Sequence, residues 1–162
     1  MPRHQTLRAL VDWSYDLLAE QEQEILRQLA VFAGSFDLDA AESILASDRG
    51  DPSQRLDIIT ALCDKSLIEV VGEADTARWR LLETLREYAR QRLEEAEPQA
   101  AGRLLVRHRD HYLSVADACD AGFRSSAQGA AQHRIENDYE NMRLVGLWQV
   151  LTRAGAAGGA AA

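Results

Sequence analysis

LIEVVGEADTARWRL, residues 67–81, is the stretch at which the periodicity of the chain changes. Leu67 to Val71 is a short run rich in β-branched residues. GEADTA (72–77) is a polar tip made of turn formers, and Arg78 to Leu81 resumes extended character around Trp79. Two short runs joined by such a tip predict a β-hairpin. Helical spacing prevails on both sides of it.

Working outward towards the N-terminus, QRLDIITALCDKS (54–66) predicts a helix over about 53–65, with Leu56, Ile59, Leu62 and Cys63 inward. The polar breaker SDRGDPS (47–53) precedes it. A helix over 38–46 carries Leu38, Ala41, Ile44 and Leu45, with Asp37 as its N-cap. A helix over about 20–33 opens with Glu20, Glu22 and Glu24 at the positive end of its dipole and buries Ile25, Leu26, Leu29 and Phe32. Gly34 is the expected left-handed stop. The first helix, 5–18, places Leu7, Leu10, Val11, Leu17 and Leu18 on one inward stripe with Trp13 at its edge.

Beyond the hairpin, Thr84-x-x-Glu87 predicts a capping box that opens a helix through about 96, burying Leu85, Tyr88, Ala89 and Leu93. Pro98 marks a new start. One helix over 99–121 uses Leu104, Leu105, Tyr112, Leu113, Ala116 and Cys119, and another over 130–152 uses Ile135, Tyr139, Met142, Val145 and Trp148. The expected fold is mainly α: a winged-helix domain at 1–97, an antiparallel helical pair at 98–152 resembling the start of an α-solenoid, and a flexible low-complexity tail at 153–162.

Charge narrows the function. The 162 residues carry a net charge of −8, and the imbalance is local: residues 1–97 hold 20 acidic and 11 basic side chains, residues 98–162 hold 6 and 7. An acidic domain repels a phosphate backbone, so direct nucleic-acid binding is not the first expectation. No apolar run approaches a membrane span and MPRHQTLRAL lacks the character of a signal peptide, which points to a cytoplasmic protein. Cys63 and Cys119 form no paired framework.

Catalytic and cofactor motifs are missing from the sequence. Lys65, the lone lysine, sits in CDKS without the glycines of a phosphate loop. His108 and His111 in HRDH, with Cys119 further along the helix, could be read as metal ligands. Interhelical or surface hydrogen bonding is the plainer reading. No nucleophile elbow surrounds Ser14, Ser35 or Ser66.

RHQTLRALVDWSYDLL (3–18), EQEILRQLAVFAGSFDLDAAE (22–42), LCDKSLIEV (62–70) and RWRLLETLREYARQRLEE (78–95) resemble, in order and spacing, the winged-helix segment of bacterial STAND-type regulatory NTPases, which are NB-ARC- and AAA+-related. Many are LuxR-like or AfsR-like transcriptional regulators. IENDYENMRLVGLW (135–148) is similar to the opening helix of their tetratricopeptide-like region. The resemblance implies a non-catalytic relay with ATP or ADP held on a preceding NTPase domain, and no cofactor in this chain. Its partners would be that domain in cis and a helical repeat or protein sensor. Plant and animal relatives bear a Met-His-Asp triplet at the junction after the wing. Leu81, Leu82 and Glu83 stand there instead, so the sensor histidine is absent. Gly146 replaces a bulky aliphatic of the pattern, which weakens the helix or marks close packing.

Trp13, Trp79 and Arg80 are the candidate domain-interface residues. Trp148, like the other two tryptophans, is expected in a core or interface rather than on a binding platform. Arg78, Arg80 and Arg86 could approach a neighbouring domain's nucleotide or form exposed ion pairs. Two rival functions remain: a free-standing winged-helix DNA-binding regulator, contacting DNA through Arg55, Lys65 and Arg78, and a small enzyme with a pocket of convergent titratable groups.

Overall fold

The computed structural model describes residues 3–45, 52–72 and 77–158, with side chains described between 8 and 146 apart from residue 52. In chain order the elements are α1 (Arg3–Asp16), α2 (Glu20–Leu29), α3 (Leu38–Ile44), α4 (Pro52–Asp64), β1 (Ile68–Val71), β2 (Arg78–Leu81), α5 (Glu83–Ala96), α6 (Pro98–Phe123) and α7 (Gln128–Gly158). The hairpin forms where the period changes, with antiparallel register Ile68↔Leu81 through Val71↔Arg78. Phe36 adds a short third rung on the far side of β2, exchanging two 2.9 Å backbone hydrogen bonds with Trp79.

Three helix ends show how local chemistry sets the boundaries. The Asp37 carboxylate accepts from the Ala40 amide at 2.9 Å, capping α3 as its sequence position requires. The far end of α3 is met by two guanidinium groups, Arg55 on the Leu45 carbonyl at 3.2 Å and Arg107 on the Ile44 carbonyl at 3.5 Å. Cations there satisfy orphan carbonyls and the negative end of the dipole together. At the end of α4, Ser66 is left-handed (φ 57°); its amide donates to the Cys63 carbonyl and that of Leu67 to the Leu62 carbonyl. This is a Schellman closure with serine where glycine is usual.

Several expectations are corrected. α2 stops at Leu29 on a right-handed Ala30, so Gly34 is not a left-handed helix stop. A Cβ at Gly34 would lie 3.0 Å from the Cβ of Glu140 on α7, so the glycine serves close approach of that helix. The Thr84 capping box does not form. The chain leaves β2 at Leu81 and turns at Leu82, which puts Thr84 already inside the first turn of α5, where its hydroxyl cannot reach back as a cap. α7 runs on through Gly158 instead of ending near 152, in keeping with its alanine content, and residues 159–162 lie outside the described residues. The side chains of Leu7 and Trp148, the loop residues 46–51 and the wing tip 73–76 with Glu73 and Asp75 also lie outside them.

The core is one continuous cluster. Leu26, Leu29 and Phe32, Phe36 from the linker, Ile44, Ile59 and Leu62, and Trp79 and Leu81 meet Leu85, Ala89 and Leu93. Leu104 and Tyr112 of α6 and Val145 of α7 belong to the same cluster, so packing runs without a break across residues 97 and 98. Leu105, Leu113, Ala116 and Tyr139, expected inside, are exposed, and His108, Asp138 and Asn141 are buried in their stead. Gly146 has open space around its Cβ position, so it marks no close packing. Among the described residues no helix is long and apolar enough to cross a membrane.

Candidate interaction surfaces

α1 and the turn after it divide their apolar side chains between core and solvent. Val11, Tyr15 and Leu18 face the core, while Leu10 (57% exposed), Trp13 (64%) and Leu17 (65%) form a row at i, i+3 and i+7 on the opposite side. The helix can afford this because polar bonds hold its inner face. Asp12 accepts from the Tyr88 hydroxyl at 2.7 Å and from Arg92 at 2.8 Å, and Arg92 lies over the rings of Tyr15 and Tyr88. The Tyr88 hydrogen bond is the main reason the Asp12 carboxyl lies below the usual range, and burial first, then Asp12, pushes Tyr88 up to about 12. The expectation of one inward stripe is therefore corrected: Leu10 and Leu17 belong to the outward row, with Trp13 between them.

On the hairpin, Trp79 is buried in the chain's own core against Phe36 (centroids 6.1 Å apart), whereas Arg80 is exposed and pairs with Glu69 at 3.0 Å. Leu81 is buried, and Leu82 and Glu83 are exposed. The Glu83 carboxylate accepts from Arg86, which holds its pKa down.

The outer side of α4 offers Ser53, Gln54, Leu56, Asp57, Thr60, Asp64 and Lys65. Arg55 points inward to the end of α3. Lys65 is engaged by Glu22 at 2.6 Å, and this bond, then that from the Ala19 amide, lowers the Glu22 pKa. Arg78, the third candidate for DNA, is buried under α7. Of the three, only Lys65 stands at the surface.

Around Arg78 lies a polar cluster that sequence reading misses. Its guanidinium donates to Asp138 at 2.5 Å and to the Ser35 carbonyl at 3.0 Å. Asp37 lies 3.6 Å from Arg78 and 2.6 Å from Arg134, which also pairs with Asp138. Beside this ring the Asn141 side chain takes the Ala33 amide at 2.8 Å and gives a hydrogen bond to the Ser35 carbonyl at 2.9 Å. His108 sits 3.2 Å from the same Asn141 oxygen, and burial pushes its pKa down to about 4. It is therefore the neutral imidazole whose Nε2–H donates, an interhelical hydrogen bond as its sequence position allows. His111 and Cys119 sit apart from it, along a shallow alanine-lined groove between α6 and α7. Among the described residues no three His, Cys, Asp or Glu side chains converge as a metal site.

Comparison with known proteins agrees with this architecture. Residues 18–94 match a model of the winged helix-turn-helix domain. This segment is a winged helix. A Mycobacterium tuberculosis protein provisionally named an HTH-type transcriptional regulator is 39% identical to the chain over 146 residues, which are 90% of this chain and 16% of that protein. A Mycobacterium bovis relative carrying the same kind of name matches equally well. An uncharacterized Mycobacterium tuberculosis protein is 41% identical over 119 residues, 73% of this chain and 30% of its own length. No solved structure matches the chain. The chain thus spans about a sixth of the regulators it resembles, and its winged helix occupies α2 to α5.

Proposed function

We propose that the chain is a winged helix with its following helical pair from a larger transcriptional regulator, and that it works there as a non-catalytic, protein-facing relay. Its fold and the names of its relatives support the regulatory part. The protein-facing part rests on one observation: the described outer side of α4 is not cationic. Arg55 donates to the Leu45 carbonyl just past α3 and Lys65 is held by Glu22, leaving Asp57 and Asp64 beside uncharged groups of which Gln54 is one. A helix that reads the major groove presents Arg, Lys, Asn or Gln to base edges and phosphates.

The contact surface in this reading is the Leu10–Trp13–Leu17 row, with Arg80 as a further contact. Its occupant is a neighbouring domain of the same regulator, and the family resemblance implies a nucleotide-binding one. A solvated row of two leucines and a tryptophan along α1 and the turn that follows it suits a helix or sheet docking against it. Such a relay needs the contact to differ by a few kcal/mol between two states of the regulator.

A second reading has the winged helix itself contact DNA, and the names of the relatives favour it. A low-salt titration against duplex DNA separates the two. The protein-facing reading expects no submicromolar binding; submicromolar, salt-sensitive binding establishes the second.

A further inference from the structure

We propose that two turns of α7, Arg134 to Asn141, form a polar clasp that couples the wing hairpin and the α2–α3 linker to the helical pair as one switchable contact. Four charges close into a ring in which signs alternate: Arg78 on β2, Asp138 on α7, Arg134 on α7, and Asp37 at the start of α3. The ring is charge-balanced, and Arg78 and Asp138 are 6% and 1% exposed. Beside it, the linker has no secondary-structure partners for its backbone over residues 33–35. Asn141 supplies them, accepting from the Ala33 amide and donating to the Ser35 carbonyl. Arg78 adds a bond to the Asn137 carbonyl at 3.3 Å. Gly34 leaves out a Cβ that would lie 3.0 Å from the Cβ of Glu140 on α7.

The physical consequence is a contact with a single register. Apolar packing between helices degrades gradually when one slides. Here a shift of α7 by one turn, about 5.4 Å, would carry Asp138, Arg134 and Asn141 away from Arg78, Asp37 and the linker together, leaving the buried Arg78 only Asp37 and Ser35 and stripping the Ala33 amide of its acceptor. Intermediate positions are therefore disfavoured, and the clasp is either made or released. Asp37 also caps α3, so release loosens that helix start and β2 together. This goes beyond the regulatory reading, because it holds whatever the module's partner is.

Hydrogen exchange of the full chain, followed by mass spectrometry, tests it with Asp138→Asn, which removes the charge and keeps the shape. The expected result is exchange at least tenfold faster in 33–40 and 78–81 as well as in α7, with the α1–α5 contact around residues 12 and 88–92 unchanged. Faster exchange confined to α7, or spread evenly over the chain, overturns the proposal. Should Asp138→Asn fail to fold, Arg134→Gln probes the partly exposed side of the ring with the same pattern expected. An unchanged 33–40 and 78–81 in that variant refutes the coupling.

Discussion

The Arg78 guanidinium on β2 meets the Asp138 carboxylate on α7 at 2.5 Å, across 60 residues of chain and out of reach of water. Such a pair is costly to break and cheap to replace. Asp138→Ala leaves the buried Arg78 only the longer Asp37 contact as an ion pair and should cost up to about 3 kcal/mol in urea unfolding, as should Arg78→Ala, which leaves Asp138 to Arg134 alone. Arg78→Met with Asp138→Leu should cost far less than the sum of the single changes. A strictly additive double variant would argue against a direct pair.

His108 makes stability depend on pH with a defined sign. Its folded pKa, about 4, is below the unfolded value of 6.5, so the unfolded chain binds more protons between those values. Its contribution is complete above pH 6.5 and is lost as pH falls towards 4, a change of about 3 kcal/mol at most. His111 is lowered in the same direction by burial and adds to the effect. The lowered carboxylates of Glu22, Glu83 and Glu87 act below 4.5, so the upper part of the window belongs to the histidines. Urea titrations at pH 7 and pH 5 should show the drop, and His108→Gln should remove most of it.

Ser66 holds a left-handed backbone that glycine adopts without steric cost. Ser66→Gly should raise stability by about 1 kcal/mol, the penalty of that conformation for an L side chain. The melting temperature of a chain this size should then rise by roughly 2–4 °C. A loss of stability would show that the Schellman closure after α4 is wrongly placed.

Trp13 and Leu17 contribute little to the fold as it stands, since water covers them. Trp13→Ala should change the stability of this chain by less than about 0.5 kcal/mol. If the proposed interface exists, the same change in a longer regulator carrying this segment should make it more sensitive to protease, because a hot-spot tryptophan is worth about 2 kcal/mol or more. A large loss of stability in the short chain would place Trp13 in the fold and remove it from the interface.

The hairpin was legible because β-branched runs around a polar tip stand out from helical spacing, and Asp37 was legible because a short acid before an apolar run has one local use. What escaped is non-local. Nothing near Asp138 and Asn141 in sequence announces that Arg78 and the linker backbone will meet them on α7. The same blindness split the expected α1 stripe: Val11 and Leu18 face the core, but with Asp12 tied to Tyr88 and Arg92 the inner face is fastened by polar bonds and Leu10 and Leu17 are left outside. Arg55 and Arg78 looked available to DNA for an equivalent reason, because their partners are a helix end and a carboxylate distant in sequence.

The surface character of α4 decides between a protein-facing and a DNA-facing module, and fluorescence anisotropy of labelled mixed-sequence duplex DNA, titrated with this chain at low salt, addresses it directly. With Arg55 turned inward and Lys65 engaged by Glu22, binding should stay weaker than micromolar and respond little to added salt. Submicromolar binding that falls steeply with salt would contradict it.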